Sequence, residues 1–354
     1  MSLGRKILGA AAGAVGLAAA AGAVEVARQN RVIGNRAAGE RVVFGELHSA
    51  PLVVVADDAV DLHVEIDEPG DFGGEPSTDE SPTVVFVHGY CLNLDCWHFQ
   101  RAAYRGQLRT VFYDQRSHGR SARSSEDNAT VDQLGRDLLR VIEATSPGPV
   151  VVIGHSMGGM SVISLADQFP ELFGDKVIGA ALISTTAGGL DPGRILFPMV
   201  PLGLGGKVVG RVVRTHDRGH RVVDLARSWG HAFADVVTDR YAFGDDVPAD
   251  YVEFVFAMLN ATPFAVVADF YPAFATLDKF ESLEPLSRVP TSIICGSDDK
   301  VTSVGHSRKL HSRIAGSSLL ECEGAGHMVV LERHKEVTAE LDDLISLALG
   351  RETP

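Results

Sequence analysis

The chain has 354 residues, 45% hydrophobic and 22% charged, with 46 acidic against 32 basic side chains for a formal net charge of -14. Such a composition is globular and excludes a disordered or fibrous chain, and the acidic balance lacks the electrostatic footprint of a nucleic-acid binder. Four cysteines, Cys91, Cys96, Cys295 and Cys322, exclude a disulfide-built scaffold, and no pair has zinc-like CxxC spacing.

The chain opens with Arg5 and Lys6 before an uncharged run from Ile7 to Val24, which Glu25 ends. A basic start followed by such a run marks a secretory signal or a membrane anchor. Residues 1–36 therefore read as a separate N-terminal unit, with membrane association or export through residues 7–24 expected. The run is mostly Ala and Gly, close to the minimum length for a spanning helix. Arg28, Arg31, Arg36 and Arg41 follow it, a balance that does not favour export of the C-terminal part.

From about residue 42 short apolar strands alternate with amphipathic helices. Val53–Val55 and Asp61–Ile66 predict two strands joined by an Asp57–Asp58 turn. Residues Asp67 to Pro82 are rich in Asp, Glu, Gly, Pro and Ser and predict a solvated loop. Thr83–Val87 and Thr110–Tyr113 read as strands. Thr130 and Gln133 read as a capping box, opening a helix with Val131, Leu134, Leu138, Val141 and Ile142 on one face. Pro149–Ile153 predicts a strand and 156–169 a helix. Val177–Ser184, Thr291–Cys295 and Ser317–Glu321 predict further strands, before a closing helix with Leu341, Leu344 and Ile345 on one face. This alternation implies a mostly parallel sheet with helices on both faces.

Residues 187–288 break the alternation. About 100 residues between two sheet strands is too long for a bare loop. Helical segments at Tyr251–Leu259 and Phe264–Phe274 make it an expected helical cap, inserted into a core of 42–186 and 289–350. Phe254, Phe256, Phe264, Phe270 and Phe274 are candidates to line an apolar acyl pocket or to pack the cap's own interior. Lys207, Arg211, Arg214, Arg218, Arg221 and Arg227 read as a solvated face, with anionic headgroups as a second possibility.

The sharpest chemical signal is Gly154-His155-Ser156-Met157-Gly158-Gly159, between an apolar strand and a helix. G-x-S-x-G in that setting is a nucleophile elbow, because only small neighbours let so tight a turn close around a serine. The turn lifts the Ser156 hydroxyl above the sheet edge, over a helix N-terminus that favours negative charge. Ser156 needs a base and an orienter. Gly324-Ala325-Gly326-His327 after the last strand offers His327 as base. Ile293-Ile294-Cys295-Gly296-Ser297-Asp298-Asp299 offers the acid, with Asp299 preferred to Asp298 from the strand–turn register. Phe86-Val87-His88-Gly89-Tyr90 ends a strand at the same edge, so the Tyr90 and Met157 N–H groups are expected to form the oxyanion hole. His88 and His155 read as structural, as do the thiols of Cys91 and Cys96.

On these residues the chain resembles the α/β-hydrolase fold serine hydrolases, the group of esterases, lipases and related acyl enzymes. The resemblance covers about residues 50–348. It rests on His88-Gly89, Asp114-Gln115-Arg116-Ser117-His118-Gly119-Arg120-Ser121, the elbow Gly154–Gly159, Gly296 with Asp299, and Gly326-His327. It implies an α/β-hydrolase fold with an inserted helical cap, no cofactor and no metal. Members that open epoxides or displace halide carry Asp at the elbow, which Ser156 does not match. Members often have a proline shortly after the acid, where this chain has Lys300-Val301-Thr302-Ser303. The expected activity is hydrolysis of a carboxylic ester of an apolar acyl group, a small-molecule ester or lipid. Acyl transfer and carbon–carbon bond hydrolysis use the same three side chains. A silent scaffold that only binds usually lacks one of them or the elbow glycines, and all are present here.

Overall fold

The computed structural model describes residues 24–36, 42–78, 80–190 and 231–350. The apolar run before Val24 and the basic stretch from Lys207 to Arg227 lie outside these residues. Among the described residues no single helix is long and apolar enough to cross a membrane.

Eight strands form one sheet: β1 (Pro51–Val55), β2 (Asp61–Asp67), β3 (Thr83–Val87), β4 (Arg109–Tyr113), β5 (Val150–His155), β6 (Val177–Ile183), β7 (Thr291–Gly296) and β8 (Ser318–Cys322). Their order across the sheet is β1-β2-β4-β3-β5-β6-β7-β8. β1 and β2 are an antiparallel pair, and β2 joins β4 antiparallel. All pairings from β4 to β8 are parallel. β4 lies on one side of β3 and β5 on the other, so the carboxyl ends of β3 and β5 open a crevice where ligands of such sheets bind.

The central strands are buried on both faces, and their period of two divides the core. Val84, Phe86, Phe112, Val151, Ile153, Ala181 and Ile183 point to one face. There they meet helix α1 (His98–Tyr104) and the closing helix α9 (His334–Ala348) through Tyr104, Val337, Leu341 and Leu344. Val85, Val87, Val111, Val150, Val152, Ala180 and Leu182 point to the other. They meet α2 (Val131–Thr145), α3 (Met157–Gln168) and α7 (Val304–Arg313). Fully burying each of these Val, Leu, Ile and Phe side chains is worth about 1.5–3 kcal/mol.

Between β6 and β7 the described residues include three helices, α4 (His231–Ala242), α5 (Ala249–Ala261) and α6 (Phe264–Ala275). An isolated bridge between Gly188 and Asp278 draws the two ends of this insertion together. A short α8 (Val329–Glu332) precedes α9. At the N-terminal side, residues 24–34 are helical. Ile33 is buried, and Arg36 pairs with Asp239 and Asp246 of the insertion and donates to the Val247 carbonyl at 3.2 Å. Phe44 stacks on Phe254 at 4.4 Å between centroids.

Two local readings are corrected. The Thr130 hydroxyl accepts the Gln133 amide at 3.1 Å, but the Gln133 side chain turns to Asp57 and Asp137, so only half of the capping box forms. Asp67 belongs to β2 and not to a solvated loop; it is fully buried and bonded by Arg101, Arg105 and Ser49. A charge with three such donors can be buried where a bare one cannot.

Glu65, on the same strand, ties residues 42–50 to the sheet. It is buried, accepts the Ser49 amide at 2.9 Å and meets His48, His63 and Arg101. Burial works against its ionisation, but these partners outweigh it and hold its pKa down to about 2 from an ordinary 4.5. A carboxyl whose folded pKa is depressed contributes stability above its unfolded pKa and loses it as pH falls toward the folded one. Acid unfolding followed by circular dichroism should steepen between pH 4.5 and about 2. Glu65→Gln should be less stable at pH 7 and show a flatter profile across that window.

Candidate active site

Because β3, β5, β7 and β8 run parallel, the segments after their carboxyl ends share one edge of the sheet. Ser156 follows β5 at φ 53°, a left-handed backbone that a side chain rarely adopts. Several bonds hold it there. Its N–H donates to the Ile183 carbonyl at 2.9 Å, and its carbonyl accepts the Thr185 hydroxyl at 2.6 Å and the Gly159 and Met160 amides. The glycines are demanded by packing. A Cβ on Gly158 would overlap the Val87 carbonyl, and one on Gly154 would overlap the Gly158 carbonyl.

Ser156 Oγ lies 3.0 Å from His327 Nε2, and His327 Nδ1 lies 2.9 Å from Asp299 Oδ2. The structure thus brings together Ser156, His327 and Asp299, which are 28 to 171 positions apart in pairs. Ser156 and Asp299 are buried, and the His327 side chain keeps 12% exposure. A proton can therefore pass along the chain from hydroxyl to imidazole, with a carboxylate fixing the tautomer.

Asp299 is fully enclosed, and burial alone would raise its pKa. The His327 charge and hydrogen bond, the Val301 amide at 2.8 Å and the Thr302 hydroxyl at 2.9 Å outweigh that and hold the carboxyl below its ordinary 3.8. Asp298 is exposed, and its carboxylate accepts the Ser297 hydroxyl at 3.3 Å. The two neighbours in the turn thus differ sharply in surroundings.

Thr302 escapes sequence reasoning. Its amide and hydroxyl both donate to Asp299, and its Oγ1 lies 3.3 Å from His327 Nδ1. The signal was present in Lys300-Val301-Thr302-Ser303, the segment that departs from the family's proline: these residues supply N–H and O–H donors to the carboxylate.

Met157 opens α3, so its N–H is among those a helix leaves without an intrahelical acceptor. Tyr90 follows Gly89 after β3, where a Cβ on Gly89 would sit 2.9 Å from His155 Nδ1 and 3.1 Å from Ser156 Cβ. The Tyr90 phenol donates to the Val267 carbonyl of α6 at 2.7 Å. His88 lies buried in the same loop with its Nε2 accepting the Gln115 amide at 2.9 Å, and burial lowers its pKa to about 4. His155 Nε2 donates to the His327 carbonyl at 2.9 Å, and burial lowers its pKa to about 3. Both histidines are thus neutral struts. The thiols of Cys91 and Cys96 are buried, which pushes Cys91 up to about 12.

Beside the elbow, Met157 and Met160 pack with Phe270, Phe274, Val266 and Leu277, with Tyr90 against the cluster. Of the five candidate phenylalanines, Phe270 and Phe274 are therefore at the elbow, whereas Phe254 lies on Phe44. Among the described residues one carboxylate group, Asp57, Asp58 and Asp137, has oxygens close enough to share a metal ion. Arg116, Asn128, Gln133 and Arg136 already occupy them.

The sequence pattern of the Alpha/beta hydrolase family matches residues 84–341. An uncharacterised Mycobacterium tuberculosis protein is 26% identical over 304 residues, covering 76% of this chain and 80% of its own. The 3-oxoadipate enol-lactonase 1 of Acinetobacter baylyi is 25% identical over 291 residues, covering 82% of this chain and 94% of its own. Among solved structures, the enol-lactonase of Burkholderia xenovorans has a TM-score of 0.64 at 24% identity, covering 83% of this chain and all of that one. A thermophilic esterase of Thermogutta terrifontis also has 0.64, at 19% identity, with 85% and 99% covered.

Gly158→Ala should force the elbow away from β3. The expected cost is about 2–3 kcal/mol of stability, the scale of an overpacked core. Thermal melts should show it, with loss of reaction at Ser156.

Proposed function

The chain belongs to the α/β-hydrolase family, and within it we propose a serine hydrolase that cleaves carboxylic esters of apolar acyl groups. The observation that carries this reading is the contact of Ser156 Oγ with His327 Nε2 at 3.0 Å, backed by Asp299 at 2.9 Å. Ser156 Oγ attacks the carbonyl carbon while its proton passes to His327 Nε2. The carbonyl oxygen becomes an oxyanion received by the Tyr90 and Met157 N–H groups. His327 then gives the proton to the leaving alkoxide as the carbon–oxygen bond breaks, leaving an acyl group on Ser156. Water, deprotonated by His327, releases the acid and restores the serine. Asp299 stabilises the imidazolium at both steps and stays ionised throughout.

The likeness to an enol-lactonase along 94% of that protein's length supports ester cleavage as the first reading, since a lactone is itself a cyclic ester. The apolar cluster of Met160, Phe270 and Phe274 supports an apolar acyl group. The N-terminal run also enters the proposal. Residues 24–36 are bound to the insertion through Arg36. Attachment of residues 7–24 to a membrane would hold the insertion near the lipid surface, where an apolar ester is concentrated. Deleting residues 1–23 should then move the protein from the membrane fraction to the soluble fraction; unchanged fractionation counts against the attachment.

Ser156→Ala should fold with the wild-type melting temperature and lose about 10³-fold or more in turnover of p-nitrophenyl esters. It should also lose labelling by a fluorophosphonate probe; retained labelling excludes Ser156 as nucleophile. With wild type, turnover should rise from acetate to medium chain lengths, and product analysis with an added alcohol should give the free acid.

A further inference from the structure

We infer that Glu332 is a positioning residue that locks the His327 loop to the inserted helices by accepting amide donors from both. Its carboxylate is a fork between two backbones. Oε1 accepts the Gly326 amide at 2.6 Å, and Oε2 accepts the Gly244 amide at 2.9 Å and the Asp245 amide at 3.3 Å. Gly326 immediately precedes His327, whereas Gly244 and Asp245 follow α4.

The two backbones touch with no side chain between them. A Cβ on Gly326 would lie 2.5 Å from the Gly244 nitrogen and from the Phe243 carbonyl carbon. A Cβ on Gly244 would overlap the Gly324 carbonyl oxygen. On the far side of the histidine, the Met328 amide donates to the Ala242 carbonyl at 2.8 Å. The His327 carbonyl itself accepts His155 Nε2 at 2.9 Å. Backbone groups of three consecutive residues around His327 are thus tied down; the Met328 tie runs directly to the insertion, and the Gly326 tie reaches it through Glu332.

Glu332 is the last residue of the four-residue α8. Burial pushes its pKa above the ordinary carboxylate value even though its three amide donors pull the other way. A half-buried carboxylate kept under those conditions is explained by the donors it gathers, since two aligned backbones otherwise leave those N–H groups unsatisfied. Its effect on chemistry is indirect. It touches no reacting atom, but it sets where the imidazole stands relative to Ser156 Oγ, and small displacements of a catalytic group carry large rate penalties.

The inference rests on the hydrolase reading, and the experiment separates the two. Wild type and Glu332→Gln are titrated with a fluorophosphonate to count competent sites, and kcat per site and KM are measured on a p-nitrophenyl ester. The glutamine amide sets a donor against amide donors, so the loop should shift. Per-site kcat should fall about tenfold to a hundredfold while KM stays within about threefold. Glu65→Gln, which removes a buried carboxylate elsewhere in the fold, should keep per-site kcat within about twofold despite its lower stability.

A per-site kcat for Glu332→Gln within twofold of wild type, whatever its melting temperature, overturns the inference. So does an equal loss in Glu65→Gln, which would make general destabilisation the cause. If Glu332→Gln gives no folded protein, Glu332→Asp, which keeps the charge one methylene short, is judged by the same criterion. Wild type that neither labels nor turns over ester defeats the hydrolase reading, and this inference falls with it.

Discussion

The close approach of backbones at the β5–α3 turn is the constraint on which the rest depends. Ser156 has φ 53°, a conformation that costs about 1–3 kcal/mol and survives only when its surroundings fix it. Here the surroundings are the neighbouring strands themselves. The Ile183 carbonyl accepts the Ser156 amide, the Thr185 hydroxyl donates to the Ser156 carbonyl, and the Val87 carbonyl lies where any side chain on Gly158 would stand. The strain is therefore borne by the sheet's packing. In return the hydroxyl stands clear of the strand at a helix N-terminus, facing the imidazole.

The other members of the site are held by the same principle in a different form. Asp299 is an enclosed carboxylate, tolerable because Val301, Thr302 and His327 all donate to it. Glu332 is a half-buried carboxylate, carried by three amides. Tyr90 reaches α6 through its phenol, and the Phe270 and Phe274 rings press on the elbow side. The insertion thus grips both flanks of the site, beside the proposed oxyanion donors and behind the histidine. Movement of either grip would be felt at the reacting atoms.

Local signals in the sequence are those whose cause is local. The elbow is legible because the glycines and the serine that make the turn lie within six residues. The strands of β3, β5, β6 and β7 are legible because burial on both faces leaves them mostly apolar. The capping box misleads because Gln133 finds Asp57 and Asp137 from elsewhere in the chain. Asp67 misleads in the opposite sense: its composition reads as solvated loop, and the Arg101 guanidinium that makes its burial possible comes from α1.

By itself, then, the sequence determined the alternating sheet and helices, the elbow, and the residue types needed for a base and its orienter, because periodicity and turn sterics act over a few residues. The tertiary structure alone decided that Asp299 is enclosed while Asp298 meets solvent, that Thr302 completes the carboxylate's shell, and that Glu332 joins the histidine loop to the segment after α4. Those facts depend on which backbones meet across the sheet edge, and no spacing along the chain encodes the distance between segments that only folding brings together.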